Sequence, residues 1–211
     1  MVNDWSRWAP LTGLVSAVLG VAGAAIEIVS NAPGSDATGK EVLTFYSAQG
    51  GTQQLGAALL ALAFVFFVFF AGSLRSYLRQ APNLEALSTI ALAGAVVEAV
   101  GQTTGAGYVW TLAQGAGHLD SSAAQALNAL SNNAVATNTA GMIVFGIAAG
   151  LAILRGGLQP RWLGWVAIAM AVVVVTPLEG FSFLALVIWM VAVSILMWMR
   201  GGQARHEPAG S

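Results

Sequence analysis

Apolar positions along the chain gather into six long runs, at roughly 9–30, 52–74, 86–111, 126–154, 160–177 and 181–199, with short polar punctuation between them. A helix needs about 20 residues, at about 1.5 Å each, to cross about 30 Å of hydrocarbon. The pattern predicts an all-α polytopic membrane protein with six transmembrane helices. The fifth and sixth runs are short, and the fourth is long enough to project from the bilayer. Turn residues mark the boundaries. Asn31-Ala-Pro33-Gly34 ends the first run, Ala81-Pro82-Asn83 precedes the third, Gly156-Gly157 ends the fourth, and Pro160 and Pro177 bracket the fifth. Only Leu178-Glu179-Gly180 is left as a tight turn before the sixth.

Two polar segments carry more than turn signals. Thr38 and Glu41 have capping-box spacing ahead of Val42, Leu43, Phe45 and Tyr46, which predicts a short amphipathic helix lying on the outer surface at 38–47. Ser122 and Gln125 have the same spacing and are expected to start the long fourth helix. The first eight residues mix Asp4 with Arg7, and the apolar run that follows is too long for a signal peptide, so the first span is expected to be retained. One transmembrane domain is expected over 1–200, with a disordered cytoplasmic tail over 201–211. No internal repeat of the kind found in inverted-repeat transporters is visible.

Charge gives the orientation. Arg7, Arg75, Arg79, Arg155, Arg161, Arg200 and Arg205 fall on one side, and Lys40 alone on the other. The positive-inside rule then puts both termini in the cytoplasm of a multi-pass cell-membrane protein. Trp5, Trp8, Tyr77, Trp162, Trp165 and Trp198 are expected at the inner interface, and Tyr46, Tyr108 and Trp110 at the outer one.

Composition narrows the chemistry. The 211 residues are 57% apolar and only 8% charged, against about 25% charged in soluble proteins. A net charge of −1 with no basic run argues against a nucleic-acid partner. The chain contains no Cys, which excludes disulfides, thiol catalysis and thiolate metal sites. Two His, one in a loop and one in the tail, offer little for a metal. No metal or cofactor is expected. The expected partners are the lipid bilayer and a hydrophobic small molecule; assembly as a homo-oligomer is left open.

The stretch Ile153-Leu-Arg-Gly-Gly-Leu-Gln-Pro-Arg-Trp-Leu-Gly-Trp165 resembles a group of small polytopic membrane proteins common in actinobacteria. So do Glu41-Val-Leu-Thr-Phe-Tyr46 and the stretch from Leu74-Arg75 to Leu87–Ala93. The resemblance covers most of the chain and implies the six-helix fold. Most members of that group have no assigned function, so it carries over no catalytic residue.

Carboxylates inside a span are costly, by about 2.5–3.5 kcal/mol at a helix centre, and mark functional sites by default. Glu98 lies near the middle of the third run, Glu27 in the outer third of the first, and Glu179 at the outer end of the last hairpin. Helical spacing puts Glu98 on a face with Ala91, Gly94, Gln102 and Gly105, and Glu27 on one with Gly13, Ser16, Gly20, Gly23 and Ala24. Small-residue stripes let helices approach closely, so both acids are expected to face the bundle interior. A bland alternative is a neutral Glu acting as polar glue between helices. The other polar residues share this depth: Gln53, Gln54, Gln102, Thr103, Thr104, Asn132, Asn133, Thr137, Asn138 and Thr139. They predict a polar-lined pocket in the outer half of the bundle. Trp189 in mid-span, with Phe181, Phe183, Tyr108 and Trp110 above it, suggests an aromatic wall, and packing alone is the simpler explanation.

These residues support a cofactor-independent membrane enzyme acting on an isoprenoid-type substrate. Apolar surroundings disfavour a charged carboxylate, and a neutral acid can protonate an alkene or epoxide. In size, helix number and intramembrane acids the chain is similar to integral-membrane meroterpenoid cyclases. Pro177-Leu-Glu179 loosely resembles the Pro-x-Glu acid motif of small membrane lycopene cyclases, with Gly180 in place of the second acid. In this reading Glu98 donates the proton and Gln102 and Asn133 orient it. Trp110 and Trp189 face the cation, and Glu27 or Glu179 acts as final base. Gln54, Tyr108, Asn138 and Phe181 complete the binding surface. A proton-coupled carrier and a non-catalytic accessory subunit are the alternatives.

Overall fold

A computed structural model describes residues 8–133, 135–176 and 179–203, and among them the only regular structure is helical. A 3-10 turn, Ala9–Leu11, leads into α1 (Thr12–Ser30). Then follow α2 (Gly39–Leu78), α3 (Glu85–Gly115), α4 (Ser121–Asn132), α5 (Val135–Gly156), α6 (Arg161–Val173) and α7 (Glu179–Gln203). Five helices are long and apolar enough to cross a membrane, and α6, with 13 residues, is a shorter apolar helix.

Several boundaries differ from the sequence reading. Residues 38–47 form no separate surface helix, because α2 runs unbroken from Gly39 to Leu78. Within it Gly50 lets α2 lie against α3: a Cβ there would sit 2.9 Å from the Ala113 carbonyl oxygen. The capping box does form, with the Thr38 N–H donating to Glu41 Oε2 at 2.8 Å and the Glu41 N–H to Thr38 Oγ1 at 3.4 Å.

The fourth run is two helices, not one. Ser131-Asn132-Asn133 are weak helix formers whose amides compete for local backbone carbonyls. Asn132 Nδ2 donates to the Asn128 carbonyl and Asn133 Nδ2 to the Ala129 carbonyl, closing α4 at Asn133. The fifth run stops at Val173, where Val175 and Thr176 turn back onto the carbonyls of Val172 and Val173. The last helix continues to Gln203, past the expected start of the tail. Residues 204–211, like Trp5, Arg7 and Pro177, lie outside the described residues.

The N-cap of α4 is Asp120, not Ser122. The Ser122 hydroxyl and the Ala123 N–H both donate to Asp120 Oδ1, at 2.6 and 2.8 Å. These bonds hold the Asp120 carboxyl below the usual carboxylate range. A lowered folded-state pKa contributes stability that is complete above the unfolded value and lost as pH falls through the folded one. Amide protection in α4, corrected for intrinsic exchange rates, is therefore expected to fall selectively on acidification below about pH 4. Asp120→Ala should show the weaker protection already at neutral pH. Equal protection in both proteins at both pH values would remove the cap from the account.

The helices close into a ring in the order α1, α2, α3, α5, α6, α7, with α7 returning against α1. One end carries Arg75, Arg79, Arg155, Arg161 and Arg200; we call it the basic end. There Arg75 and Arg79 pair with Glu85 across the α2–α3 turn, and the Tyr77 hydroxyl donates to the Leu158 carbonyl at 2.6 Å. The opposite, distal end holds α4 and the 31–38 loop. In the middle of the ring Phe64, Phe67, Phe70, Phe145 and Trp189 pack edge-to-face or stacked and fill the centre.

Small residues set the crossings, as the stripes predict. Cβ atoms added at Gly94 and Gly141 would strike the backbone of Phe145 and Glu98 respectively. Overpacking of this kind costs about 1–3 kcal/mol. Gly94→Ala and Gly141→Ala should each lower the unfolding midpoint in detergent, even though Ala is the better helix former. Gly72→Ala and Gly107→Ala, where nothing lies within 4 Å, should instead gain up to about 1 kcal/mol. The same sign at all four positions would contradict the crossing geometry.

Candidate functional site

A cavity of about 200 Å³ lies between α1, α2, α3 and α4 at the distal end, above the aromatic centre. Each helix contributes one face. From α2 come Tyr46, Gln53 and Leu60, spaced by two turns. From α3 come Gln102, Gly105, Ala106 and Val109, from α4 Asn128, Ser131 and Asn132, and from α1 Glu27. Ala32 and Pro33 close the rim.

The amides hold this frame together. Gln53, 1% exposed, donates from Nε2 to Ser30 Oγ at 2.7 Å and ties α2 to the end of α1. Asn128, 2% exposed, donates from Nδ2 to the Gly34 carbonyl at 2.7 Å, and Asn132 Nδ2 reaches the Pro33 carbonyl at 3.3 Å. The loop after α1 needs such partners. Asn31, at φ 51°, turns the chain sharply out of the helix and leaves these carbonyls without helical donors.

Glu98 sits one turn below Gln102 and is 4% exposed. Gln102 Nε2 donates to its Oε1 at 3.0 Å, while Oε2 has no hydrogen bond of normal geometry, although the Met142 N–H approaches the same carboxyl group. The Glu98 backbone lies where Gly141 lets α5 approach. About 20 Å of helix rise separates Glu98 from Glu85 at the basic end. This acid is thus deep in the bundle, linked to the cavity through Gln102.

Of the residues singled out from the sequence, the structure brings Glu27, Gln53, Gln102 and Asn132 to the cavity wall and Glu98 just below it. It does not bring the aromatic wall. Trp189, 1% exposed, is held in the central cluster, its Nε1 donating to the Leu163 carbonyl at 2.8 Å. Trp110 and Phe181 are exposed and Tyr108 half-buried, and none of them lines the cavity. Asn133 does not orient Glu98; it is exposed, and its amide is bonded within α4. Gln54 is half-buried beside the cavity, and the residue that enters it is Gln53. The side chains of Glu179 and Asn138 lie outside the described residues.

Tyr46 and Asn128 were not legible as part of the site. Tyr46 reads as an interface anchor but is buried in the wall. Asn128 gave a signal of its own, a polar residue on the same helical face as Ala124, and that face is the buried one. Among the described residues no group of three or more His, Cys, Asp or Glu could hold a metal ion.

Compared with known protein families, curated proteins and solved structures, the chain has no match.

Proposed function

We propose that this is a multi-pass membrane enzyme, with both termini on the cytoplasmic side, that takes the polar end of a lipophilic molecule into the distal cavity and uses Glu98 as a general acid. The observation that carries this reading is the buried Glu98–Gln102 pair beneath a polar cavity. Oε1 is occupied by an incoming N–H, so a proton on this carboxyl group would reside on Oε2, a buried atom that must turn toward the cavity to deliver it. A cavity of about 200 Å³ is smaller than the usual 300–1,000 Å³ of drug-sized pockets. It fits the reactive end of a substrate whose apolar remainder stays among the helices or in lipid. The reaction class is isomerisation or cyclisation: Glu98 delivers its proton to an alkene or epoxide, and a base, with Glu27 lining the cavity as the candidate, removes one. Mass is conserved and no co-reactant is needed.

The filled aromatic centre favours an enzyme over a carrier, because a carrier needs a route past it. The test is an isomerisation assay. Membranes with and without the protein receive a panel of prenylated acceptors and their terminal epoxides, followed by chromatography with mass detection. The expected result is a product of unchanged mass and shifted retention only where the protein is present. No such product from folded protein, across the panel, overturns the reading.

A further inference from the structure

We infer that the distal cavity is built for a positively charged headgroup, and that its ligands include lipophilic ammonium or guanidinium compounds. The inference rests on the cavity being the site proposed above, but not on Glu98 performing chemistry there.

The first argument is the sign of charge. Glu27 lines the cavity, Glu98 lies just below it, and no Lys, Arg or His is among the lining residues. The described distal end also carries Asp36, Glu41 and Asp120, all exposed, against Lys40 and His118, also exposed. The arginines of the described chain are all at the basic end, about 30 Å or more along α2 from Gln53. An anionic headgroup entering the cavity would meet a carboxylate and no counter-charge.

The second argument is independent of charge. Each of the four lining amides commits its nitrogen to the protein: Gln53 to Ser30, Gln102 to Glu98, Asn128 to Gly34, and Asn132 to Pro33 and Asn128. Each leaves its oxygen without a donor among the described residues. Two of these amides, Gln53 and Asn128, are almost fully buried. Neither of those two oxygens is sealed off, so a ligand rich in N–H groups can donate to them. An ammonium offers up to three donors and a guanidinium up to five. The Tyr46 ring in the same wall adds a face that attracts cations. Leu60, Ala106 and Val109 line the rest and suit the first carbons of an alkyl chain.

The test uses the full-length protein in phosphatidylcholine nanodiscs with radiolabelled octylamine as probe, and empty nanodiscs as background. Saturable binding is expected above that background. Unlabelled octylguanidinium should displace the probe, while octanol and octanoate at equal concentration should not. Glu27→Gln is expected to weaken binding about tenfold, the loss for removing one partner of a partly buried charge pair. Should that variant fail to fold, the ranking of competitors on the wild-type protein decides by itself. Displacement by octanoate or octanol as effective as by octylguanidinium overturns the inference, as does binding no greater than in empty nanodiscs. The two readings fail separately. An isomerised product without ammonium binding sinks only this inference, and ammonium binding without any product sinks only the proposed chemistry.

Discussion

Glu98→Gln is expected to reduce turnover by about 10²- to 10⁴-fold, the contribution of a positioned general acid. The amide is nearly the same size and keeps an oxygen that can accept from Gln102 Nε2, so the 3.0 Å bond beneath the cavity has a replacement. What disappears is the transferable proton. The helix crossing should survive, because it depends on the Glu98 backbone against Gly141 and not on the carboxyl group. The measurement is initial rate at matched expression, with the unfolding midpoint recorded in parallel. Equal rates in both forms would take Glu98 out of the chemistry. A lowered midpoint with an unchanged rate would leave it as structural glue between helices.

Trp189→Ala is expected to be the most damaging single truncation for stability, at about 3 kcal/mol. Within lipid the transfer from water drops out of the balance, since the alternative surroundings are as apolar as the core. Packing and polar satisfaction remain. Trp189 contacts Phe70 and Phe145 edge-to-face, with ring centroids 6.3 and 5.7 Å away, and its indole N–H occupies the Leu163 carbonyl. Truncation removes both rings' partner, opens a void and frees that carbonyl at once. Trp165→Ala is the control, because its side chain projects from the bundle surface; a shift within about 0.5 kcal/mol is expected there. The measurement is reversible unfolding in mixed micelles. Comparable losses for the two would mean that the centre is not a packed cluster.

The helical architecture was legible because apolar run length and turn residues speak directly to spanning helices. The small-residue stripes around Glu27 and Glu98 also named the buried faces, since Gly13, Ser16, Gly20 and Gly23 of α1 and Gly94 of α3 are all buried. What the pattern could not show was that the segment at 38–47 and the run at 52–74 are one helix: α2 is continuous through both, and Gly50 lies against the Ala113 carbonyl of α3. Asn132-Asn133 had the opposite fate, ending a helix inside what reads as one continuous run.

The site was legible as a depth, not as a set of neighbours. Polar residues do gather at the distal end, but which of two adjacent glutamines enters the cavity depends on helix rotation, and Gln53 won over Gln54. The aromatic wall failed for a related reason. Hydropathy places Trp189 in mid-span, and only the path of α6 shows that its N–H is spoken for by Leu163.

The aromatic centre has a consequence for supply. With Phe67, Phe70, Phe145 and Trp189 filling the ring, whatever reaches the cavity must come from the distal solution or from the adjoining leaflet. On the proposed reaction, the proton that restores Glu98 would come from the same side. The catalytic cycle would then follow the acidity of the compartment beyond the distal end and ignore that at the basic end. In sealed vesicles, acidifying one lumen and not the other would reveal which compartment sets the pace.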